Sequence, residues 1–236
     1  NSGTDTMVVL LSDPGVAVSP IPSGSPGTTV TTTLTLSNSG SATVSFVPVV
    51  LVNGNTTTLA QVTLAPGQTS SQVISVPLTS TGATVTANVT APSVADGNPA
   101  NNTDTEVSGA LYADVTTTVD LPASAPAGTV ITVTATFANS ATGGTATTAS
   151  AVVGTVTLSN GQVVTFSLGN LAPGASVVQS FTTTVPNSSA SAVLTATSTV
   201  ATSTPESNST NNSGTDTMVV LLSDPGVAVS PIPSGS

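Results

Sequence analysis

The 236-residue chain contains no lysine, arginine, histidine or cysteine. Without Lys or Arg it cannot displace counterions from phosphates, which argues against nucleic-acid binding and against attraction to anionic membrane surfaces. Without Cys it has no disulfide framework, without Lys it has no isopeptide cross-links, and without Lys or Arg it has no site for trypsin. We therefore expect no nucleic-acid partner and a location outside the cell or on its surface, where resistance to proteases is an advantage.

The same absences remove most catalytic chemistry. General acid–base catalysis near neutral pH usually relies on His, Lys, Cys or paired carboxylates, and three of these four are missing. A Ser or Thr nucleophile needs a neighbouring base such as His or Lys, and zinc or iron sites need His or Cys ligands as a rule. We expect that the chain is not an enzyme, with no catalytic residues and no cofactor-binding residues.

The apolar residues are numerous but occur in short runs. Ten acidic residues give a net charge of −10, yet only 4% of residues are charged and 38% are hydrophobic, which is enough to form a core. The longest apolar runs, such as residues 46–52 and 218–222, are far shorter than the ~20 residues of a membrane span. No signal peptide is recognisable at Asn1, so we expect a mature or internal segment without a membrane span.

A long exact repeat dominates the sequence. Residues 1–25 are identical to residues 212–236, at a spacing of 211 residues. Such long-period identity predicts one period of a tandem array together with an overlap into the next copy. An array of this kind is typical of an elongated structure such as a stalk, a fibre or a filament.

A weaker repeat divides each period into two similar parts. The sequence Leu-Ala-Pro-Gly occurs at residues 64–67 and again at 171–174. The spacing predicts two homologous domains of ~100 residues each, the size of an immunoglobulin-like sandwich.

Apolar residues alternate with threonines in residues 30–36 and again in 131–137. This period of two predicts strands with one buried face. The pairs Asn53-Gly54 and Asn160-Gly161 lie between apolar runs and predict hairpin turns. The expected fold is all-β: two tandem immunoglobulin-like antiparallel β-sandwich domains, part of a longer repeat array.

The repeats also place the domain limits. We expect residues 1–12 to be the closing strand of the preceding repeat, and residues 13–108 and 109–222 to be domains 1 and 2. Residues 223–236 then start the next repeat. Residues 4–11 are identical to residues 215–222, which we expect to close domain 2. Residues 4–11 should therefore not pack on the two domains that follow them.

The turn residues resemble those of a known family. An N-terminal strand, a Leu-Ala-Pro-Gly turn (171–174) and an Asn-rich turn before the last strand (99–102 and 208–212) are similar to CARDB-type domains, named for cell adhesion in bacteria, and to related Ig-like repeats of bacterial and archaeal surface proteins. The resemblance implies an extracellular, repetitive role in adhesion or scaffolding and brings no catalytic residues. The absence of Lys departs from most such proteins.

Oxygen-bearing side chains cluster near the end of domain 1. The candidate Ca²⁺ ligands are Asp96, Asp104, Glu106 and, just beyond, Asp114. Carboxylate oxygens at a domain junction suit Ca²⁺, which would stiffen the hinge. Turn chemistry explains the Asp and Asn residues equally well, and the spacing is not that of an EF-hand loop. We favour turn chemistry, with no metal bound.

Two functions fit these observations. The first is a structural subunit or repeat of an extracellular filament or stalk, assembled head-to-tail with identical copies, either in one polypeptide or by exchange of strands between subunits. The alternative is a ligand-binding repeat of a cell-surface adhesin. Aromatic residues make up only 2% of the chain. All four Phe lie in predicted strands, where we expect core positions, and this favours the structural role.

Overall fold

The computed structural model describes residue 5 and residues 7–90, 92–187 and 193–223. The chain folds into two compact units, Asn1–Leu111 and Tyr112–Ser236. We call these unit 1 and unit 2. The predicted start of the next repeat, at 223–236, falls outside the described residues except for Ser223.

Unit 1 is a sandwich of two antiparallel sheets. Its strands in the described residues are β1 (Pro14–Val18), β2 (Thr29–Asn38), β3 (Val44–Val52), β4 (Asn55–Thr58), β5 (Val62–Leu64), β6 (Thr69–Pro77), β7 (Ala83–Thr90) and β8 (Thr103–Ser108). One sheet has the order β1-β2-β6 and the other β4-β3-β7-β8, with β5 also paired to β3. A short 3-10 helix, Pro99–Asn101, precedes β8.

Unit 2 repeats this arrangement with two differences. Its strands in the described residues are β9 (Val115–Asp120), β10 (Ser124–Pro126), β11 (Val130–Asn139), β12 (Ala149–Leu158), β13 (Val163–Leu171), β14 (Ser176–Thr184), β15 (Val193–Ala201) and β16 (Ser213–Leu221). The sheets have the orders β14-β11-β9 and β10-β16-β15-β12-β13. Strand β10 is added, and the single strand β13 takes the place of β4 and β5. The short β10 runs parallel to β16, whereas the longer strands pair antiparallel. The expected all-β sandwich fold is confirmed.

The alternating segments form central strands. In β2, Leu34 and Leu36 are fully buried, and in β11 the same is true of Val133 and Phe137. The intervening residues face outward, so Thr supplies the polar face that the period of two requires. Each unit has one contiguous apolar core between its two sheets.

Both predicted Asn-Gly turns join hairpins. Asn53 and Gly54 connect β3 to β4 with φ values of 52° and 81°, as a type I′ turn requires. Gly161 has a φ of 91° and donates its N–H to the Leu158 carbonyl over 3.0 Å, at the turn between β12 and β13. Glycine is suited to these positions because it adopts positive φ without steric cost.

The phenylalanines divide into two groups. Phe46 and Phe137 are fully buried, as expected. Phe166 and Phe181 are only partly buried, and they continue a line of rings from Phe137 with centroid separations of 6.0 and 6.3 Å. They lie on β13 and β14, the edge strands of the two sheets, where the sandwich gives less cover. Their predicted core position is therefore only partly correct.

No helix in the described part of the chain is long and apolar enough to cross a membrane.

Candidate functional site

Two copies of one sequence lie in different environments. Met218 and Val220 on β16 are 1% and 4% exposed. Met7 and Val9, which occupy the same positions in the identical N-terminal copy, are 85% and 64% exposed. The same apolar side chains therefore belong to the core in one copy and face solvent in the other.

Strand β16 is held on both of its edges. Met218 lies opposite Leu194 of the antiparallel β15, and Val220 lies opposite Ala125 of the parallel β10. The Asp216 carboxylate accepts a 2.8 Å hydrogen bond from the N–H of Leu121. Both apolar side chains join the core of unit 2, so β16 closes this sandwich. It runs from Ser213 to Leu221, two residues earlier in start than predicted and one earlier in end.

The N-terminal copy forms no strand in its described residues, which are Asp5 and residues 7–11. Contact with unit 1 begins at Leu11, whose carbonyl accepts hydrogen bonds from the N–H groups of Ser41 and Ala42 at 2.8 and 3.2 Å. Ser12 donates its N–H to Ala95 over 3.0 Å. Leu11 and Ser12, which the sequence assigned to the preceding repeat, thus contact unit 1.

A carboxylate–asparagine cluster lies at one end of unit 1. The side-chain amide of Asn101 donates to Asp13 over 2.8 Å, and that of Asn102 donates to Asp96 over 2.6 Å. The second oxygen of Asp96 accepts from the N–H of Asn98 at 2.9 Å, as in a tight turn. These bonds fasten the turn before β8 to the start of β1.

Unit 2 contains the corresponding cluster. Asn211 donates to Asp114 over 2.9 Å, and Asn212 donates to Glu206 over 2.9 Å. Glu206 also accepts from the N–H of Val115 at 3.2 Å. The two side-chain amide hydrogen bonds thus recur with Glu206 in place of Asp96, whereas the other carboxylate oxygen accepts from a different segment in each unit.

The four calcium candidates have separate positions. Asp96 lies in the unit 1 cluster, whereas Asp104 on β8 accepts a 2.7 Å bond from the N–H of Val18. Glu106 lies two residues further along β8, and Asp114 belongs to unit 2. Among the described residues no three or more His, Cys, Asp or Glu side chains form a group suited to a metal. Turn chemistry without a bound metal stays the prediction, and calcium stays the alternative to it.

Four amide oxygens in these clusters are buried without a hydrogen-bond partner. They are the Oδ1 atoms of Asn101, Asn102, Asn211 and Asn212. An unpaired buried acceptor is destabilising by ~1–3 kcal/mol. The clusters therefore depend on the hydrogen bonds that the amide NH₂ groups donate, while the single oxygen of each amide has no partner.

A second pair of asparagines was not predicted from the sequence. Asn38 and Asn139 end β2 and β11, are almost fully buried, and each donates to two main-chain carbonyls. The sequence pattern does indicate that both side chains are buried, because each Asn occupies the next inward position after an alternating apolar series. Polar residues at a buried position of such a series are hydrogen-bonded as a rule.

Comparisons with known proteins agree with this architecture. The CARDB family model matches residues 112–216, which lie within unit 2. No curated protein matches the chain. CARDB domains are β-sandwich domains of extracellular type, typically found in extracellular or surface proteins.

Several solved structures are similar to this chain at low identity. The solution structure of a CARDB domain from Pyrococcus furiosus is 18% identical, with a TM-score of 0.40, covering 47% of this chain and 97% of that domain. A crystal structure of the same domain, in complex with di-metal ions, is 19% identical, with a TM-score of 0.39 and coverages of 44% and 97%. Red sea bream transglutaminase is 13% identical, with a TM-score of 0.36 and coverages of 92% and 32%.

The family match confirms the resemblance that the turn residues carried in the sequence. Residues 112–216 match the CARDB family model, and they lie in the β-sandwich of unit 2.

Proposed function

We propose that this chain is a repeating segment of an extracellular filament or stalk. In this proposal each 211-residue period contributes two β-sandwich units, joined head-to-tail with identical copies. The role is structural and non-catalytic. The single observation that carries it is the identity of residues 1–25 with residues 212–236.

The repeated side-chain contacts support a modular design. The Asp13–Asn101 bond in unit 1 has the same form as the Asp114–Asn211 bond in unit 2. Because each unit has these contacts within itself, we expect each to keep its fold at any position in the array. Stability in arrays of this kind is a sum of module terms and nearest-neighbour terms.

The exposed N-terminal copy supports continuation of the array. Met7, Val8 and Val9 face solvent, while the identical residues of unit 2 complete a sandwich. Exposed apolar strand sequences are an aggregation hazard that proteins usually cover. In a head-to-tail array these residues close the preceding unit, which removes the hazard.

Localisation and assembly can be tested on cells of the source organism. Antibodies raised against unit 2 should label intact, unpermeabilised cells along extended surface structures in electron micrographs. Labelling that appears only after permeabilisation would contradict an extracellular filament. Preimmune serum provides the control.

The head-to-tail geometry can be tested in solution. Chains with one, two and three periods should increase in maximum dimension by a constant increment per period in small-angle X-ray scattering. Periods that fold back on one another would instead add little length with each step, and that result would exclude an extended array.

A further inference from the structure

We propose that the N-terminal copy, residues 2–10, is a donor strand that competes with β16 for its place in unit 2 of a second copy of this chain. The proposal rests on the proposed head-to-tail assembly and names its surface and partner. The surface is the slot between β15 and β10, defined here as the β16 slot. The partner is the segment of identical sequence on another molecule.

The β16 slot recognises its strand through side chains at alternate positions. It takes the side chains of Met218 and Val220 into the core of unit 2, and the N–H of Leu121 donates to the Asp216 carboxylate. At Gly214 the neighbouring Thr117 carbonyl would lie 2.8 Å from any added Cβ, so a side chain there would collide with main chain. The slot therefore selects Gly, Asp, Met and Val at a spacing of two.

The donor sequence satisfies every one of these requirements. Gly3, Asp5, Met7 and Val9 have the same identities and spacing as the four residues of β16. Asp5, Met7 and Val9 are exposed, and the described part of this segment has no strand partner. The segment is thus available for pairing by strand addition.

Because the two copies are identical, replacing β16 by the donor strand leaves the contacts within unit 2 of the unmodified chain unchanged. A donor that displaces β16 forms the same contacts that β16 loses, while association costs translational and rotational freedom. In dilute solution the strand of the same chain therefore keeps the slot, and we expect the unmodified protein to be monomeric there. A substitution that weakens only β16 makes the donor copy bind the β16 slot more tightly than β16 does. The fraction of molecules with an exchanged strand then increases.

The test uses the full 236-residue chain and places the same substitution either in β16 or in the N-terminal copy of its sequence. Val220→Asp places a carboxylate in the core when β16 fills its own slot, but leaves the N-terminal copy intact. We expect this variant to associate, with a mass at least twofold that of the 22.6 kDa monomer by light scattering. Val9→Asp, the same substitution in the same local sequence, should remain monomeric.

The double variant V9D/V220D separates strand exchange from nonspecific association. It has the same weakened β16 but no competent donor, so it should be monomeric. A monomeric V220D overturns the proposal, as does a double variant that associates as strongly as V220D.

A disulfide pair then locates the donor. Thr195 lies opposite Thr217, and both its N–H and its carbonyl bond to Ser159 on its other side. Such a non-hydrogen-bonded pair has Cα atoms about 4.5 Å apart, within the range for a disulfide. The chain has no other Cys, and T195C/T217C in the unmodified background should oxidise within one chain and serves as the control.

In the V220D background, T6C/T195C should give a disulfide-linked dimer, because Thr6 is the copy of Thr217. If the T195C/T217C control forms its disulfide but T6C/T195C in the V220D background gives no linked dimer, the proposal is wrong. The result is independent of the cell labelling. A continuous filament without strand exchange would give labelled surface structures together with a monomeric V220D, whereas failed labelling would contradict the proposed function itself.

Discussion

The side-chain amide of Asn139 donates a 3.0 Å hydrogen bond to the main-chain carbonyl of Leu171. This bond joins β11 of one sheet to β13 of the other, at a buried point between them. The same amide donates to Thr147, and its oxygen accepts from the N–H of Asp114. One side chain thereby satisfies main-chain groups from three separate segments.

Asn139→Ala should destabilise unit 2 by about 2–4 kcal/mol, because it leaves buried main-chain donors and acceptors without partners. Urea unfolding followed by circular dichroism measures the change. Asn55→Ala is the matched control, since Asn55 is exposed on β4, and it should change stability by less than about 0.5 kcal/mol. Equal losses in both variants would contradict the role assigned to Asn139.

Gly154 on β12 leaves room for the ring of Phe137. A Cβ at this position would collide with Cε1 and Cζ of that buried ring. Gly154→Ala should therefore cost about 1–3 kcal/mol through overpacking. Combination with Phe137→Leu should cost less than the sum of the single changes, since the smaller side chain relieves the collision.

Gly144→Ala is the control for this pair, because nothing lies within 4 Å of a Cβ there. Its stability should be unchanged or raised by up to about 1 kcal/mol. Additive losses for G154A and F137L in a double-mutant cycle would show that the ring and the glycine do not interact.

Asp216 anchors the closing strand through the N–H of Leu121, 2.8 Å away. Asp216→Ala should destabilise unit 2 by about 1–3 kcal/mol because that donor loses its acceptor. Asp5→Ala changes the same residue in the identical N-terminal sequence, where Asp5 is exposed. Thermal unfolding of D5A should match the unmodified protein, and a loss equal to that of D216A would mean that both copies are structural within one chain.

Calcium should have little effect on stability. The carboxylates of Asp96 and Asp104 already accept hydrogen bonds from amide and main-chain N–H groups. A ligand that binds only the folded state raises its melting temperature. We expect added Ca²⁺ or a chelator to shift Tm by less than about 1 °C. A shift of several degrees, abolished by Asp96→Asn, would establish the calcium site instead.

Local patterns in the sequence were sufficient to predict several of the strands and turns. Alternation of Thr with apolar residues predicted β2 and β11, and the Asn-Gly pairs predicted two hairpins. These features depend on backbone preference and on which face of a strand is apolar, so neighbouring residues carry the information.

The side-chain clusters could not be predicted in this way. Asn211 meets Asp114 across 97 residues of sequence, and Asp and Asn suit any loop equally well. The short strand β10 was missed because it pairs with β16, which lies far later in the chain. Long-range partners are a property of the folded chain, and composition does not identify them.

The sequence by itself determined the class of fold, the repeat and the lack of basic and thiol chemistry, because each follows from residue identity and spacing. Only the tertiary structure decided what identical sequences do. Met218 is buried and Met7 is exposed although their neighbours are the same. The physical reason is that burial depends on the strands available to pair with a segment, and in the described part of this chain β15 and β10 pair with β16 and not with its N-terminal copy.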